Sequence, residues 1–456
     1  MPAAAAVLAH AFGARYDLPL PLLLFVLGGG LVVALSFLVL VRQTVRPLLP
    51  GAAADEVVLP PLRPVPTTLS LLGLVLLLLI GLGGSQEVAE NLLPTVFWLL
   101  VWIAVPLSCG LLGDWTQRVN PFAHAARLCD RARLRRMLLG SDEPVRWPAR
   151  LGWWPAVGLF FLLASGELIF NRTATLPRVT AVGLLVYLGL CAFCGLLFGP
   201  AWLQRGEVFS VLLSTWGRLG YFRFGARGRR GLAGGLDEPF APTASRVAFV
   251  LLLLVSVNVD GLLATPLWDR LQLGLPTSVS PGTPALGGLT TVAFVGLAVL
   301  VALVFTGFAR ASVRLAGSRD HRGALTGLLP SLLPIAFGYL LAHNLQYLLV
   351  NAQLLFPLLG NPTGLAGGSL HLPAPFNDTF EVHRVLLPSS AYWYVSLLAI
   401  VVVHTAAVLL AHGHFGRATT DRRLARRSEY PWLVAMVGYT MLSLWLLAQP
   451  LVLEHA

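Results

Sequence analysis

The sequence LGGLTTVAFVGLAVLVALVFTGFA, residues 286–309, carries no charged residue, and the loop after it, residues 310–327, contains four arginines. A helix of about 20 apolar residues crosses the hydrocarbon core of a bilayer, which is ~30 Å thick. Nine other stretches of the chain have the same character. The sequence therefore predicts an all-α fold, a polytopic transmembrane helix bundle of about ten spans, in a single integral membrane domain over residues 1–456. The predicted spans are residues 20–41, 68–84, 94–113, 151–170, 178–199, 245–266, 286–309, 328–351, 391–412 and 430–450.

The basic residues alternate along the chain. All 32 are arginines, and 27 of them lie in five alternate loops between the predicted spans when Arg246, at the start of a span, is counted with its loop, whereas 5 lie in the N-terminal arm and the other gaps. Cytoplasmic loops of membrane proteins are enriched in basic residues. The pattern predicts a multi-pass protein of the cell membrane with its arginine-rich loops in the cytoplasm and both termini outside.

The composition limits the kinds of partner. Charged residues make up 12% of the chain, about half of the share that is usual for a soluble protein. The lipid bilayer is therefore the predicted environment of much of the surface. The net charge of +11 is spread over short loops that flank apolar segments, so it does not form the single basic face that nucleic acid requires. We expect no nucleic-acid partner.

Two segments of the sequence have similar beginnings. Residues 109–122 read CGLLGDWTQRVNPF, and residues 194–209 read CGLLFGPAWLQRGEVF. Both contain Cys-Gly-Leu-Leu followed by Trp-x-Gln-Arg-x-x-x-Phe. Residues 85–122 and 165–209 are therefore candidates for a tandem two-span repeat in the same orientation, as in some transporters.

Two inner loops have apolar residues at helical spacing. In residues 204–224 these residues are interleaved with arginine and serine, and residues 120–139 show a similar pattern with five arginines. A helix with one apolar and one basic face lies in the plane of a membrane interface. We therefore predict an interfacial helix over residues 204–224.

Two acidic residues, Glu167 and Asp260, fall clearly inside predicted spans. An ionisable side chain at the centre of a bilayer costs about 2.5–3.5 kcal/mol on insertion scales, so it usually faces the bundle interior or a hydrated cavity. Asn258 lies two residues before Asp260 and adds a second polar group there. A hydrated interface position for Glu167 and a helix-capping role for Asp260 are the alternatives.

Two histidines, His343 and His404, also lie well within predicted spans, and Asn344 adds to the polarity beside the first. The two spans run in opposite directions, so the histidines are expected at similar depths if the helices are neighbours. Imidazole in a membrane bundle can relay protons, bind a metal or haem, or serve as a hydrogen-bonded packing group.

Three functions are compatible with these residues. The first is transport or translocation of an ion or small solute, and its predicted path consists of Glu167, Asp260, His343, His404, Asn258 and Asn344. The second is a membrane-embedded hydrolase that depends on a bound metal. The candidate metal ligands are His10, Asp17, His343 and His404. The third is a non-catalytic subunit whose polar residues contact a membrane protein partner.

Other reactive residues have simpler interpretations. His412 and His414 end a span on the arginine-rich side, where imidazole suits the C-terminal end of a helix dipole. Cys191 and Cys194 share a face of an apolar helix, where packing is expected rather than redox or metal chemistry. His371, Asp378, Glu381 and His383 form a further possible metal set in the outer loop, residues 352–390, although ordinary surface chemistry is expected there.

Several signatures of known chemistry are missing from the sequence. It contains no P-loop, no His-Glu-x-x-His, no Gly-x-Ser-x-Gly and no Rossmann glycine pattern. Without a nucleotide motif, the chain is not expected to be a self-sufficient ATP-driven pump. A bound metal or haem stays compatible with the sequence.

Short motifs along most of the chain carry a family resemblance. They are Ala9-His10-x-Phe12-Gly13 with Arg15-Tyr16-Asp17, then Asn120-Pro121, Trp154-Pro155-Ala156, Glu167-Leu168, Arg205-Gly206-Glu207-Val208-Phe209, Asp260-Gly261 with Thr265-Pro266, and Ala342-His343. In these motifs the chain resembles a group of bacterial and archaeal multi-span membrane proteins, several of which are labelled fenitrothion hydrolase. The resemblance implies a prokaryotic membrane and, in some members, activity toward organophosphate esters.

Overall fold

The computed structural model describes residues 22–40, 57, 59–224, 231, 234–237, 240–280, 282–418 and 421–452. Within these ranges the regular secondary structure is helical and contains no β-strand, which confirms the all-α fold. The chain forms two compact units. Unit 1 contains residues 57–234 and 347–386, and unit 2 contains residues 22–40, 235–346 and 387–452 as far as they are described.

Helices of membrane-spanning length occur in both units. Eight of the described helices are long and apolar enough to cross a bilayer, so the protein is a multi-pass membrane protein. Two shorter apolar helices, Leu22–Leu38 and Trp154–Leu168, lie at the first and fourth predicted spans. Each predicted span thus coincides with a helix, while the total of ten crossings and the sidedness stay predictions.

The helices of unit 1 begin frequently with proline, whose missing N–H is not needed in a first turn. They are α2 (Pro64–Gly83), α3 (Leu92–Leu112), α4 (Pro121–Cys129), α5 (Ala132–Leu139), α6 (Trp154–Leu168), α7 (Asn171–Ala174), α8 (Pro177–Phe198), α9 (Pro200–Arg205), α10 (Val208–Trp216) and α15 (Leu355–Gly360). The middle of α3, Thr95–Ala104, has π-helical hydrogen bonding.

Four helices of unit 2, those at the last four predicted spans, are longer than these spans, because their ends continue the helix beyond the apolar segment. The α-helices of unit 2 are α1 (Leu22–Leu40), α11 (Ala244–Leu263), α12 (Pro266–Leu273), α13 (Pro284–Leu315), α14 (His321–Asn351), α16 (Ser389–Ala418) and α17 (Arg422–Val452). Thr243, Thr265 and Thr283 begin three consecutive helices, since each hydroxyl accepts the backbone N–H three residues later.

The core of unit 2 is formed where α1 packs against α16 and α17. Phe25 of α1, Ile400 of α16 and Leu444 of α17 belong to one buried cluster. These contacts hold α16 and α17 side by side, and these two helices carry part of the polar site described below.

The predicted helix over residues 204–224 is interrupted. The helix α9 ends at Arg205, and α10 spans Val208–Trp216, because the carboxylate of Glu207 accepts the backbone N–H groups of Phe209 and Ser210 and so starts a new helix. All residues of α10 except Ser214 are buried. This differs from the one-sided burial expected of a helix lying on a membrane surface.

The two segments with similar sequences make reciprocal contacts in unit 1. The helix α4 packs against α8 of the other segment and against α2, which precedes its own segment, while α10 packs against α3 of the other segment and against α6, at whose end its own segment begins. Phe122 and Phe209 occupy equivalent positions in the two sequences, and their rings stack with centroids 5.5 Å apart. Two equivalent hairpins would produce this arrangement. The duplication itself stays a prediction.

Glu207 joins the two segments through a hydrogen-bond network around its buried carboxylate. Its Oε1 accepts from the Tyr187 hydroxyl and from the backbone N–H of Phe209 at 3.0 Å, and its Oε2 accepts from the Ser210 N–H at 2.6 Å and from Asn120 Nδ2 at 3.0 Å. Glu207 is 0% exposed. Since Asn120 caps α4 as Glu207 caps α10, the two caps bind each other across the pair of segments.

The Glu207 network predicts a large effect of Glu207→Ala on stability. The substitution removes a helix cap and leaves several buried donors without an acceptor, which should lower the free energy of unfolding by at least ~2 kcal/mol. Thermal unfolding can be followed with a thiol-reactive dye in a Cys129→Ser background, because Cys109, Cys191 and Cys194 are buried. The control is Glu143→Ala at an exposed position in the same unit. Equal midpoints for both variants would contradict the structural role of Glu207.

His124 of α4 predicts a dependence of stability on pH. Its Nδ1 lies 2.7 Å from the Ser70 hydroxyl, and burial, followed by the charge of Arg127, lowers the pKa of His124 from its ordinary value of 6.5. Because the unfolded chain then binds a proton more readily than the folded one, this contribution to stability is present above pH 6.5 and is lost as the pH falls below it.

The measurement is the thermal midpoint of the wild type and of His124→Asn between about pH 7.5 and pH 5. The wild type should lose stability more steeply on acidification than the variant. Parallel curves for the two proteins would exclude His124 as the source of the pH dependence.

Candidate functional site

Asp260 and His343 meet in unit 2. Asp260 lies on α11 and His343 on α14, and Asp260 Oδ2 is 2.8 Å from His343 Nε2. The Asp260 side chain is 31% exposed and that of His343 is 13% exposed. The two candidates that the sequence located on separate spans therefore form one contacting pair, and this pair is partly exposed at the surface of unit 2.

Tyr339 extends this site toward the interior of unit 2. It precedes His343 by one helical turn, and the two rings are stacked with centroids 6.1 Å apart and an interplanar angle of 12°. The Tyr339 hydroxyl lies against Gly261, where an added Cβ would be 2.2 Å from the hydroxyl oxygen. Glycine is thus needed beside Asp260 to admit the buried tyrosine. Within the described ranges, the hydroxyl has no hydrogen-bond partner.

A second polar group of side chains surrounds Tyr439 of α17. Asn258 Nδ2 donates to the Tyr439 hydroxyl and, at 2.8 Å, to the Leu254 carbonyl, while Asn258 Oδ1 has no partner in the described chain. The ring of His404 lies 6.1 Å from that of Tyr439. Since Asn258 and Gly261 are three residues apart, Tyr439 and Tyr339 contact the same face of α11 about one turn apart.

His404 is the most deeply buried candidate, at 1% exposure. Its Nδ1 lies 2.8 Å from the Ile400 carbonyl, and its Nε2 is buried without a partner among the described residues. A carbonyl oxygen only accepts hydrogen bonds, so the ring carries its hydrogen on Nδ1 when neutral. The Nε2 lone pair is then an unused acceptor.

The pairing of α14 with α16 gives the relative depth of the two histidines. The helices run antiparallel, because Gly338 faces Val403 and the Ser396 hydroxyl donates to the Ala342 carbonyl at 3.0 Å. His404 is therefore level with the segment of α14 about six residues before His343. This separation along the helix is roughly 9 Å at ~1.5 Å per residue, whereas the sequence predicted similar depths for the two histidines. His404 lies nearer than His343 to the arginine-rich loop of residues 310–327.

The remaining path candidates have local contacts. Asn344 Nδ2 donates to the Leu340 carbonyl at 3.1 Å, one turn back on α14. Glu167 belongs to unit 1, where its carboxylate accepts from the Trp102 indole, which stacks on Phe160. Glu167 thus belongs to unit 1, whereas the other path candidates belong to unit 2.

Sequence reasoning missed a second pair of histidine and carboxylate. His412 Nδ1 is 2.9 Å from Glu429 Oε2, and Glu429 is 2% exposed. Glu429 precedes the last predicted span by one residue and follows several arginines, a position typical of a hydrated loop. The only sequence signal was its position next to an apolar run that continues the helix α17, which begins at Arg422.

The predicted metal ligands do not form a cluster in the described ranges, where no group of three or more His, Cys, Asp or Glu residues is placed to hold a metal ion. His10 and Asp17 lie outside the described residues. In the outer loop, the backbone of His383 binds the side chain of Gln353, at 2.9 Å through its carbonyl and 3.0 Å through its N–H. Cys191 and Cys194 are free thiols and are buried.

Comparison of the chain with models of known protein families, with curated proteins and with solved structures finds no match. The chemistry of the site is therefore inferred from its geometry. A carboxylate paired with an imidazole can take up or release a proton or exchange its partner for a cation. The unused acceptors of His404 and Asn258 can bind a hydrogen-bond donor.

The geometry predicts the tautomer of His404. Nitrogen-15 NMR of histidine-labelled protein in lipid nanodiscs should show, near neutral pH, a resonance with hydrogen on Nδ1 and a bare Nε2. The His404→Gln variant assigns the resonance by its disappearance. A ring with hydrogen on Nε2 would contradict the contact with Ile400.

Proposed function

We propose that the protein moves an ion or a small solute across a prokaryotic cell membrane, and that Asp260 and His343 form its central binding or coupling site. The contact between these two side chains on two membrane-spanning helices carries the proposal. Because ionisable groups in a bilayer are costly, they are typical of ion pathways, proton relays and ligand counter-ions.

The partial exposure of the pair supports access for a solute. Asp260 lies three residues before the end of α11 and retains 31% exposure. The arginine alternation predicts that this end of α11 faces outward and that the arginine-rich loops are cytoplasmic. A cation or proton that reaches Asp260 from that side competes with His343 for the carboxylate, so binding changes the charge and the contacts of both helices.

The main alternative is hydrolysis at the same pair. A histidine oriented by a carboxylate is also the arrangement of a general base that activates water. The resemblance to proteins labelled fenitrothion hydrolase favours organophosphate esters as the substrates of such an enzyme. Transport is preferred because the pair lies on long membrane helices and is continued by further buried polar groups in unit 2.

The test uses protein reconstituted in liposomes and adsorbed on a solid-supported electrode, with concentration jumps of protons, Na⁺ and small organic ions. The wild type should give charge movement with at least one of them. Asp260→Asn and His343→Gln should each reduce it roughly tenfold or more, because each removes one partner of the pair. The control is Asp269→Asn, a matched carboxylate change at an exposed position on α12.

Two results would contradict transport through this pair. The first is full charge movement in both Asp260→Asn and His343→Gln. The second is a wild type without charge movement that instead hydrolyses an organophosphate ester and loses this activity in the same two variants, which would assign the pair to the alternative function.

A further inference from the structure

Buried polar side chains continue from the Asp260–His343 pair into unit 2. Tyr339 stacks on His343. Tyr439 of α17 contacts α11 about one turn away from Tyr339, through its hydrogen bond with Asn258. The ring of His404 is next to that of Tyr439. These contacts form a line of polar groups from a partly exposed carboxylate to an imidazole that is 1% exposed.

Three atoms along this line lack a hydrogen-bond partner in the described ranges. They are the Tyr339 hydroxyl, Asn258 Oδ1 and His404 Nε2. Leaving a buried polar atom unpaired costs about 1–3 kcal/mol, and nearly all such atoms in native proteins have a partner. Three unpaired atoms within two groups of side chains that meet on one face of α11 therefore indicate a species that hydrogen-bonds to them.

The unpaired atoms specify the chemistry of that species. Asn258 Oδ1 is an acceptor, and the Nδ2 group of the same side chain already donates to Leu254 and Tyr439. His404 Nε2 is an acceptor because the hydrogen of the neutral ring is on Nδ1. The species must therefore donate hydrogen bonds. Na⁺ and the alkaline-earth cations favour sites rich in oxygen ligands, whereas an imidazole lone pair takes up a proton.

We propose that the coupling ion is the proton, and that His404 Nε2 is its buried acceptor, reached from Asp260 and His343 through water held by Tyr339 and Asn258. This rests on the proposed function, since it uses the Asp260–His343 pair as the entry. In the loading step, Nε2 uses its lone pair to bind H⁺ delivered by water, and the ring becomes an imidazolium. Release of the same proton restores the neutral ring.

The alternative role for His404 is packing, and two substitutions separate it from proton uptake. His404→Gln keeps a polar side chain of similar size, whose amide cannot take up a proton near neutral pH. Tyr339→Phe removes only the unpaired hydroxyl and keeps the ring that stacks on His343. Removing an unpaired hydroxyl should not lower the thermal midpoint, so loss of proton movement in this variant would not be explained by unfolding.

The experiment measures the internal pH of liposomes that contain the full-length protein and a trapped fluorescent pH indicator. A potassium gradient with valinomycin makes the lumen negative. The wild type should acidify the lumen, and His404→Gln should lower the initial rate roughly tenfold or more, with a smaller but clear loss in Tyr339→Phe. The control is His371→Gln, at an exposed position in the outer loop, which should match the wild type.

The outcomes separate this inference from the proposed function. Proton movement that persists in both His404→Gln and Tyr339→Phe would overturn the role of His404 while leaving the Asp260–His343 pair in place. A wild type that moves Na⁺ or an organic ion but no protons would also overturn the inference and would leave the proposed function standing. The proposed function itself would fail if the wild type gave no charge movement with any of the solutes applied.

Discussion

The contact between Asp260 and His343 is the interaction on which the site of unit 2 depends. Either group alone would be costly inside a bilayer. Their side chains lie at hydrogen-bond distance and so connect α11 with α14. Tyr339 is oriented by its stack on His343, and its hydroxyl fits only because residue 261 lacks a side chain. The position of Tyr339 in the buried polar line therefore follows from this pair.

The Glu207 network of unit 1 and the polar line of unit 2 use buried polar groups differently. In unit 1, the Glu207 carboxylate accepts four hydrogen bonds, which use its acceptor positions and tie together two helix caps. In unit 2, Asn258 and His404 keep unused acceptors. A fully satisfied network fixes one packing, whereas unsatisfied buried atoms leave room for an exchangeable ligand. This contrast is why the Glu207 network is interpreted as structural and the polar line of unit 2 as functional.

The helices and four of the site residues could be predicted from the sequence, because apolar length and rare intramembrane polar groups are local properties. These residues are Asp260, His343, His404 and Asn258. The pairing of Asp260 with His343 could not, since the order of the spans does not say which helices are neighbours. Tyr339 was missed because a tyrosine in an apolar run is indistinguishable from packing. Glu429 was missed because it lies at the end of an apolar segment, where a carboxylate is normally hydrated.

The most direct test of a hydrated polar line in unit 2 is an electron cryomicroscopy map of the protein in lipid nanodiscs, at a resolution that shows ordered water. The account predicts water within ~3 Å of the Tyr339 hydroxyl, Asn258 Oδ1 and His404 Nε2, beside an intact contact between Asp260 and His343. Dry apolar packing around all three atoms, or a lipid chain against Asp260, would contradict it.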